Sequence, residues 1–563
     1  MPIDLAALLR SVELRREDET TDPGPLSATW EDPAAFRRAL FAFAAERTGT
    51  LRSRAGTAYD VYADAVLRHA ASDRIAFVEV PSRGAPGRLR FSELHARASA
   101  LAAAWTPLGV NPGAAIAIVL PPGVAGVVAL AAALYAGACV SWITPKGDLA
   151  LAAAMDALAP AHVVLDPKAP AKVGEKLAKK ALPIAAPPRA PAVGPHAYAP
   201  KEPCLGALSP LRAPFGTATL VPAETVVSSA LSDAMLVHRL APGERLSAPG
   251  FHHEQAFLPM VLSAWLAGAA YVSVPLATFQ STPAVLDAEG VNVLGLSASA
   301  TAALRASPRA WPGSLKALFR DVGEPLDWME TRAAVAGNNL GKLPLSNLLI
   351  DTAAGGTVLF SARRPQGINA KALPSPGVPW DLFDPATKKP TTGDAGLFVR
   401  RGDKPDKDGY FLLARVASEY LWGSTLTPRR SARVFPGEAL SLAVTELPFC
   451  EGAAVVPLPG AAARGDTRFA LCVFIGARQS EPSFTDAIDK LVRERFGPDY
   501  TPDAVELFPL YGRGKGKKVD PEWCASNYRA GRLHARAANP GVAALVELRR
   551  RLTSPPPRGE TGG

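Results

Sequence analysis

Four short stretches of the sequence hold the residue types from which a chemical site could be built. Arg401-Gly-Asp-Lys-Pro-Asp-Lys-Asp-Gly-Tyr410 crowds carboxylates, which accept hydrogen bonds and never donate them when ionised. Its Arg-Gly-Asp is expected to be a turn before a strand rather than an adhesion signal. Arg513-Gly-Lys-Gly-Lys-Lys518 gathers cations on a glycine-rich segment and reads either as a solvated basic loop or as a contact for phosphate. His252-His253-Glu254 has the residue types of a metal site, but adjacent histidines point apart and no third ligand stands at useful spacing, so no metal is expected there. Gly295-Leu-Ser-Ala-Ser299 lacks the final glycine of a nucleophile elbow and gives no reason to expect a serine hydrolase.

These stretches are scattered over 563 residues, a length that implies two or three domains with substantial cores. With 48% apolar and 20% charged residues the composition is that of an ordinary globular protein, neither disordered nor stapled. Lys and Arg number 61 against 52 Asp and Glu, a mild and scattered excess that does not imply nucleic-acid binding. Cysteines 139, 204, 450, 472 and 524 have no zinc or CxxC spacing and suit reduced, buried thiols in a cytoplasmic protein. No standard export signal is expected from the opening residues. Residues 98–145 carry no formal charge, yet Pro121-Pro122-Gly123 divides them into a strand-like and an Ala-rich helical piece, so no transmembrane segment is expected.

The elements that must position the chemistry alternate from Tyr59 onward. Strands at Ile75, Ala115–Leu120, Cys139 and Val163 interleave with helices Phe91–Trp105 and Val124–Ala136, the pattern of right-handed crossovers on a mostly parallel sheet. Residues 167–200, with eight prolines and five lysines, read as a surface loop or linker. A composition shift near Arg415 introduces a shorter strand and helix pattern. The expected organisation is therefore an N-terminal extension (1–55), a large multi-subdomain α/β domain (56–414), a small C-terminal α+β lid (415–525) and a basic tail (526–563).

Leu89-Arg-Phe-Ser-Glu-Leu, Leu108-Gly-Val-Asn-Pro-Gly before Ile116-Ala-Ile-Val-Leu-Pro, and the Ala-rich run from Ala129 to Gly137 resemble the adenylate-forming superfamily, the fold of acyl-CoA synthetases and adenylation domains. The resemblance covers roughly residues 56–520. It implies an enzyme that binds ATP, Mg²⁺ and a small-molecule carboxylic acid, forms an acyl-adenylate, and passes the acyl group to an acceptor thiol such as coenzyme A. By the same resemblance, Phe319-Arg-Asp-Val-Gly-Glu-Pro-Leu is the segment on adenine, with Gly323 close to the ring and Glu324 and Pro325 beside it. Asp403 falls on the ribose hydroxyls, Arg415 is a phosphate or ribose contact next to a hinge at Ala417, and Lys515 is the lysine that neutralises charge developing in adenylation. Phe251 and His252 belong to the wall of the substrate pocket. Thr352 keeps a catalytic-motif position.

The sequence also departs from that pattern. Ser209-Pro-Leu-Arg-Ala-Pro-Phe-Gly-Thr stands where the family has its phosphate loop, with Ser209 retained as a nucleotide contact. Pro210 removes a backbone donor, Ala213 replaces a flexible glycine, and Gly216 occupies the lysine position. Ala353 replaces the glutamate that would hold Mg²⁺, and Asp351, two residues upstream, would point elsewhere on an extended segment. The function expected is thus an ATP-dependent carboxylate ligase, with a catalytically inactive relative that binds an acyl group, a nucleotide or a partner as the alternative.

Overall fold

A computed structural model describes residues 3–13, 24–143, 148–165, 177, 179–186, 193–208, 218–306, 308, 311, 314–321, 334–365, 371–383, 389–390, 396–402, 410–412, 414–416, 419–421, 429–430, 433–434, 437–458, 468–476, 482–495, 500–509, 519, 521–529 and 531–553. Two compact units appear, the first mainly Met1–Pro145 with Leu151–Val434, the second mainly Phe435–Ala462 with Thr467–Gly563. Arg415 lies within the first of these.

The first unit is an α/β body, as the alternating pattern predicts. In one sheet, strands His162–Leu165, Ala115–Val119, Cys139–Trp142 and Pro203–Leu208 run parallel, and Ala218–Pro222 closes its edge antiparallel to Pro203–Leu208. The helix Val124–Ala136 is buried on nearly every side, and Gly126 lets it approach the sheet: a Cβ there would stand 2.3 Å from the Trp142 ring. An all-round apolar helix packs between layers in this way. Among the described residues no helix is long and apolar enough to cross a membrane.

A second, larger sheet carries the parallel run Pro344–Asp351, Ala317–Asp321, Val293–Leu296, Arg245–Ser247, Ala270–Ser273 and Ile75–Glu79. The N-terminal residues are part of this body rather than an appendage. Leu8, Leu26, Phe36 and Leu40 are buried in its main core. Trp30 donates its Nε1–H to the Ser375 carbonyl (2.9 Å), and the Gly377 N–H donates to Thr29 Oγ1 (3.0 Å). Gly377, at φ +73°, lies under Phe36 so closely that a Cβ would fall 2.1 Å from the ring.

The Pro/Lys-rich region is packed where it is described. The Trp105 indole donates to the Pro183 carbonyl (3.0 Å), Leu182 is buried, and the fully buried Tyr198 donates its hydroxyl to the Ala138 carbonyl (2.9 Å). The described part of this region is therefore packed against the body rather than a free linker.

The second unit is α+β. Strands Gly452–Leu458, Arg468–Phe474 and Ala504–Phe508 form its sheet, the first pair antiparallel and the second parallel. Strand alternation sends Phe469, Leu471 and Val473 into a core with Ile488 and Val492 of the helix Pro482–Arg495. Cys472 and Phe474 face the other way, with Cys524 of the helix Pro521–Arg529 and Leu533 of Arg532–Ala537.

Candidate active-site crevice

The order of the parallel strands locates a crevice before any side chain is considered. From Arg245–Ser247 the chain passes through the helix Leu258–Leu266 to Ala270–Ser273 on one side, then crosses to Val293–Leu296 on the other. In open α/β sheets ligands bind outside the carboxyl ends of the strands at such a reversal. The carboxyl ends here deliver Ala248 to His252, Ser297, Asp321 and the turn Thr352–Ala354.

Local chemistry fixes these ends tightly. Gly250 adopts φ +83°, and a Cβ on it would lie 2.4 Å from Ser297 Oγ. That hydroxyl donates to the Pro249 carbonyl (2.9 Å) and accepts from the Ala300 N–H (3.0 Å). Phe251 meets Phe319 edge to face at 5.3 Å between ring centroids, and Phe319 in turn meets His238 at 4.9 Å. Gly295 admits the Phe319 ring, since a Cβ would sit 2.7 Å from Cζ. All three rings, and His252, are buried.

Thr352 is brought to the same end, and its hydroxyl donates to the Gln255 carbonyl (2.9 Å) while Gln255 Nε2 donates to the Ile350 carbonyl (2.7 Å). Gln255 belongs to a π-helical turn, His253–Phe257, a geometry frequent at functional sites. Asp351 is fully buried, and its Oδ1 accepts from the Ala353 N–H (3.1 Å). Ala353 has no side-chain oxygen to offer a cation and is itself buried. The residues at the expected Mg²⁺ position therefore do not fit the ion. Among the described residues no group of three or more His, Cys, Asp or Glu is arranged for any metal.

Two ionisable side chains here escaped the sequence reading. Asp233 opens a second π-helical turn, Asp233–Val237, and accepts from the Thr357 N–H (3.0 Å). Burial pushes its carboxyl up to about 7, against the pull of Thr357. His238 closes the same turn by donating its backbone N–H to the Asp233 carbonyl (2.7 Å). Burial and the Arg363 guanidinium push its imidazole down to about 3, and neither ring nitrogen has a hydrogen-bond partner among the described residues. Nothing in the spacing of Asp233-Ala-Met-Leu-Val-His238 marks it, because the run reads as an ordinary buried helix.

Of the expected site residues, Phe251, His252 and Thr352 converge on the crevice. Arg415 lies in Ala414–Val416, whose hairpin partner Glu419–Leu421 pairs with Lys371–Pro374 at the edge of the large sheet. Ser209, Gly323, Glu324, Pro325, Asp403, Ala417 and Lys515 lie outside the described residues.

Residues 64–205 match the family model described as AMP-binding enzyme, and the fold is similar to that of solved CoA synthetases. Among solved structures, the chain is similar to acetoacetyl-CoA synthetase from Streptomyces lividans, at 16% identity and a TM-score of 0.60 over 95% of both chains. It is also similar to a double mutant of o-succinylbenzoate CoA synthetase from Bacillus subtilis, at 12% identity and a TM-score of 0.65, over 84% of this chain and 98% of that one. An amide bond synthetase from Marinactinospora thermotolerans aligns at 18% identity and a TM-score of 0.62, over 83% and 99%. No curated protein sequence matches the chain.

Proposed function

We propose that the protein keeps the adenylate-forming fold as a binding scaffold and does not carry out Mg²⁺-dependent activation of a carboxylic acid. The observation that carries this reading is the turn after Pro344–Asp351. Its one carboxylate, on Asp351, is buried and caps the Ala353 N–H, and the next acidic position is the alanine itself. A divalent cation needs several convergent oxygen ligands, and a segment with Pro210 and Gly216 has fewer groups with which to hold a triphosphate. The ligand on this reading is an acyl or nucleotide group, or a partner protein, in the cytoplasm, where five free and buried thiols are at home.

A second reading, an active ligase making an acyl-adenylate for coenzyme A or another thiol, draws support from the AMP-binding match over residues 64–205 and from Thr352 at the crevice. Asp403, Arg415 and Lys515 would then bind ribose, contact phosphate and neutralise developing charge, with Ala417 at the hinge and Gly323 to Pro325 on adenine. Equilibrium ATP binding with and without Mg²⁺, together with carboxylate-dependent exchange of pyrophosphate into ATP, separates the two. The scaffold reading expects no gain in ATP affinity from Mg²⁺ and no exchange with any acid. Exchange that is lost in Lys515→Ala would overturn it in favour of the ligase.

A further inference from the structure

Outside the crevice, one surface combines unpartnered apolar side chains with concentrated charge. The helix Pro540–Thr553 is started by Asn539, whose Oδ1 accepts from the Gly541 N–H (2.8 Å), and by Pro540 in its first turn. Val542 and Val546 are half-buried, whereas Leu545 and Leu548 are 56% and 54% exposed. Helical register places position 552, also leucine, on the same stripe as 545 and 548. Leu545 and Leu548 stand one turn apart and so form an adjacent exposed apolar pair rather than isolated surface residues.

Charge identifies what would cover it. Residues 526–563 contain seven arginines and two glutamates, and so supply five of the nine excess positive charges of the whole chain. Arg549, Arg550 and Arg551 follow Leu548 directly, and three consecutive helical positions lie about 100° apart around the axis. The helix dipole favours a cation or two in the last turn, but it gives no account of the leucines beside them. Arginines spread around an axis suit a diffuse negative surface better than a partner whose carboxylates must each be met in place. A second copy fits less well: the stripe spans one heptad, well short of the three or four that sustain a coiled coil, and a parallel pairing would set the arginine triplets side by side.

We propose that the Pro540–Thr553 helix docks on an anionic lipid surface, with Leu545 and Leu548 toward the acyl boundary and the arginine-rich sequence around them supplying the attraction to anionic headgroups. This interaction is peripheral, and it is independent of the reading of the crevice.

The test is co-sedimentation of the full chain with vesicles of phosphatidylcholine alone or mixed in equal parts with phosphatidylserine. Binding to the mixed vesicles is expected to be roughly tenfold tighter or more, and to weaken as salt is raised. Leu545→Glu/Leu548→Glu, at exposed positions where thermal stability should not change, is expected to abolish it. Arg549→Gln/Arg550→Gln/Arg551→Gln should remove the preference for phosphatidylserine while sparing the fold. Absence of vesicle binding, equal binding to both vesicle types, or binding that survives the Leu545/Leu548 change would each overturn the proposal. So would a dimer, seen by light scattering, that the same double change dissociates, or capture by polyglutamate without vesicle binding.

Discussion

The crevice of the first unit and the rim of the second unit's thiol core both gather polar side chains, yet they treat them in opposite ways. In the crevice the side chains of Thr352, Gln255 and Asp351 each bond a backbone group, fully buried, beside the rings of Phe251, Phe319 and His238. In the second unit Glu506 accepts from the Tyr528 hydroxyl (2.6 Å) and lies 2.6 Å from His534 Nε2, and the His534 side chain is 51% exposed. The parallel register Cys472 to Glu506 puts that carboxylate on the same sheet face as the buried thiol core, at its rim. Polar groups in the first place hold the fold together in a dry environment, where loss of one partner is expensive. In the second, water can replace a lost partner.

That contrast predicts a descending order of effects. Phe319→Ala removes the ring between Phe251 and His238 and should destabilise the first unit by about 3–5 kcal/mol, read as a lower urea midpoint. A change below about 1 kcal/mol would mean that the three rings do not share a close-packed core.

Acidity should act next. The folded-state pKa of Asp233 is raised from 3.8 to about 7, so its contribution to stability is fully present below 3.8 and is lost as pH rises through about 7. The slope over that window is up to about 1.4 kcal/mol per pH unit. His238, with its pKa lowered from 6.5 to about 3, works the other way, contributing stability above 6.5 that is lost as pH falls. Urea unfolding of the unaltered chain and of Asp233→Asn from pH 4 to 8 isolates the first effect, and Asn should be the relatively more stable of the two toward pH 8. Parallel profiles would place the Asp233 carboxyl in contact with water.

Thr352→Val keeps the shape but leaves the Gln255 carbonyl without its donor, an expected loss of about 1–3 kcal/mol. If the change is neutral, water reaches the turn and the crevice is more open than its hydrogen bonds imply. The smallest effect belongs to the second unit: Tyr528→Phe should lower its thermal stability by about 0.5–1.5 kcal/mol. A larger loss there than at Thr352 would erase the distinction between the two regions.

The sequence by itself determined the elements. Helices Phe91–Trp105 and Val124–Ala136 appear with the bounds that their periodicity and flanking glycines set, because those signals are local and each helix satisfies its own backbone. It also determined the family resemblance and the losses at Pro210, Gly216 and Ala353, which need only residue identity. Tertiary structure alone decided that residues before 56 enter the main core, since Trp30 and Thr29 find their partners some 345 positions away. It alone decided that Asp351 caps a turn, that Gln255 ties that turn to the strand before it, and that a π-helical turn buries Asp233 against Thr357 and His238 against Phe319. The strength of such groups depends on water and on neighbours brought near by folding, and no spacing along the chain records either.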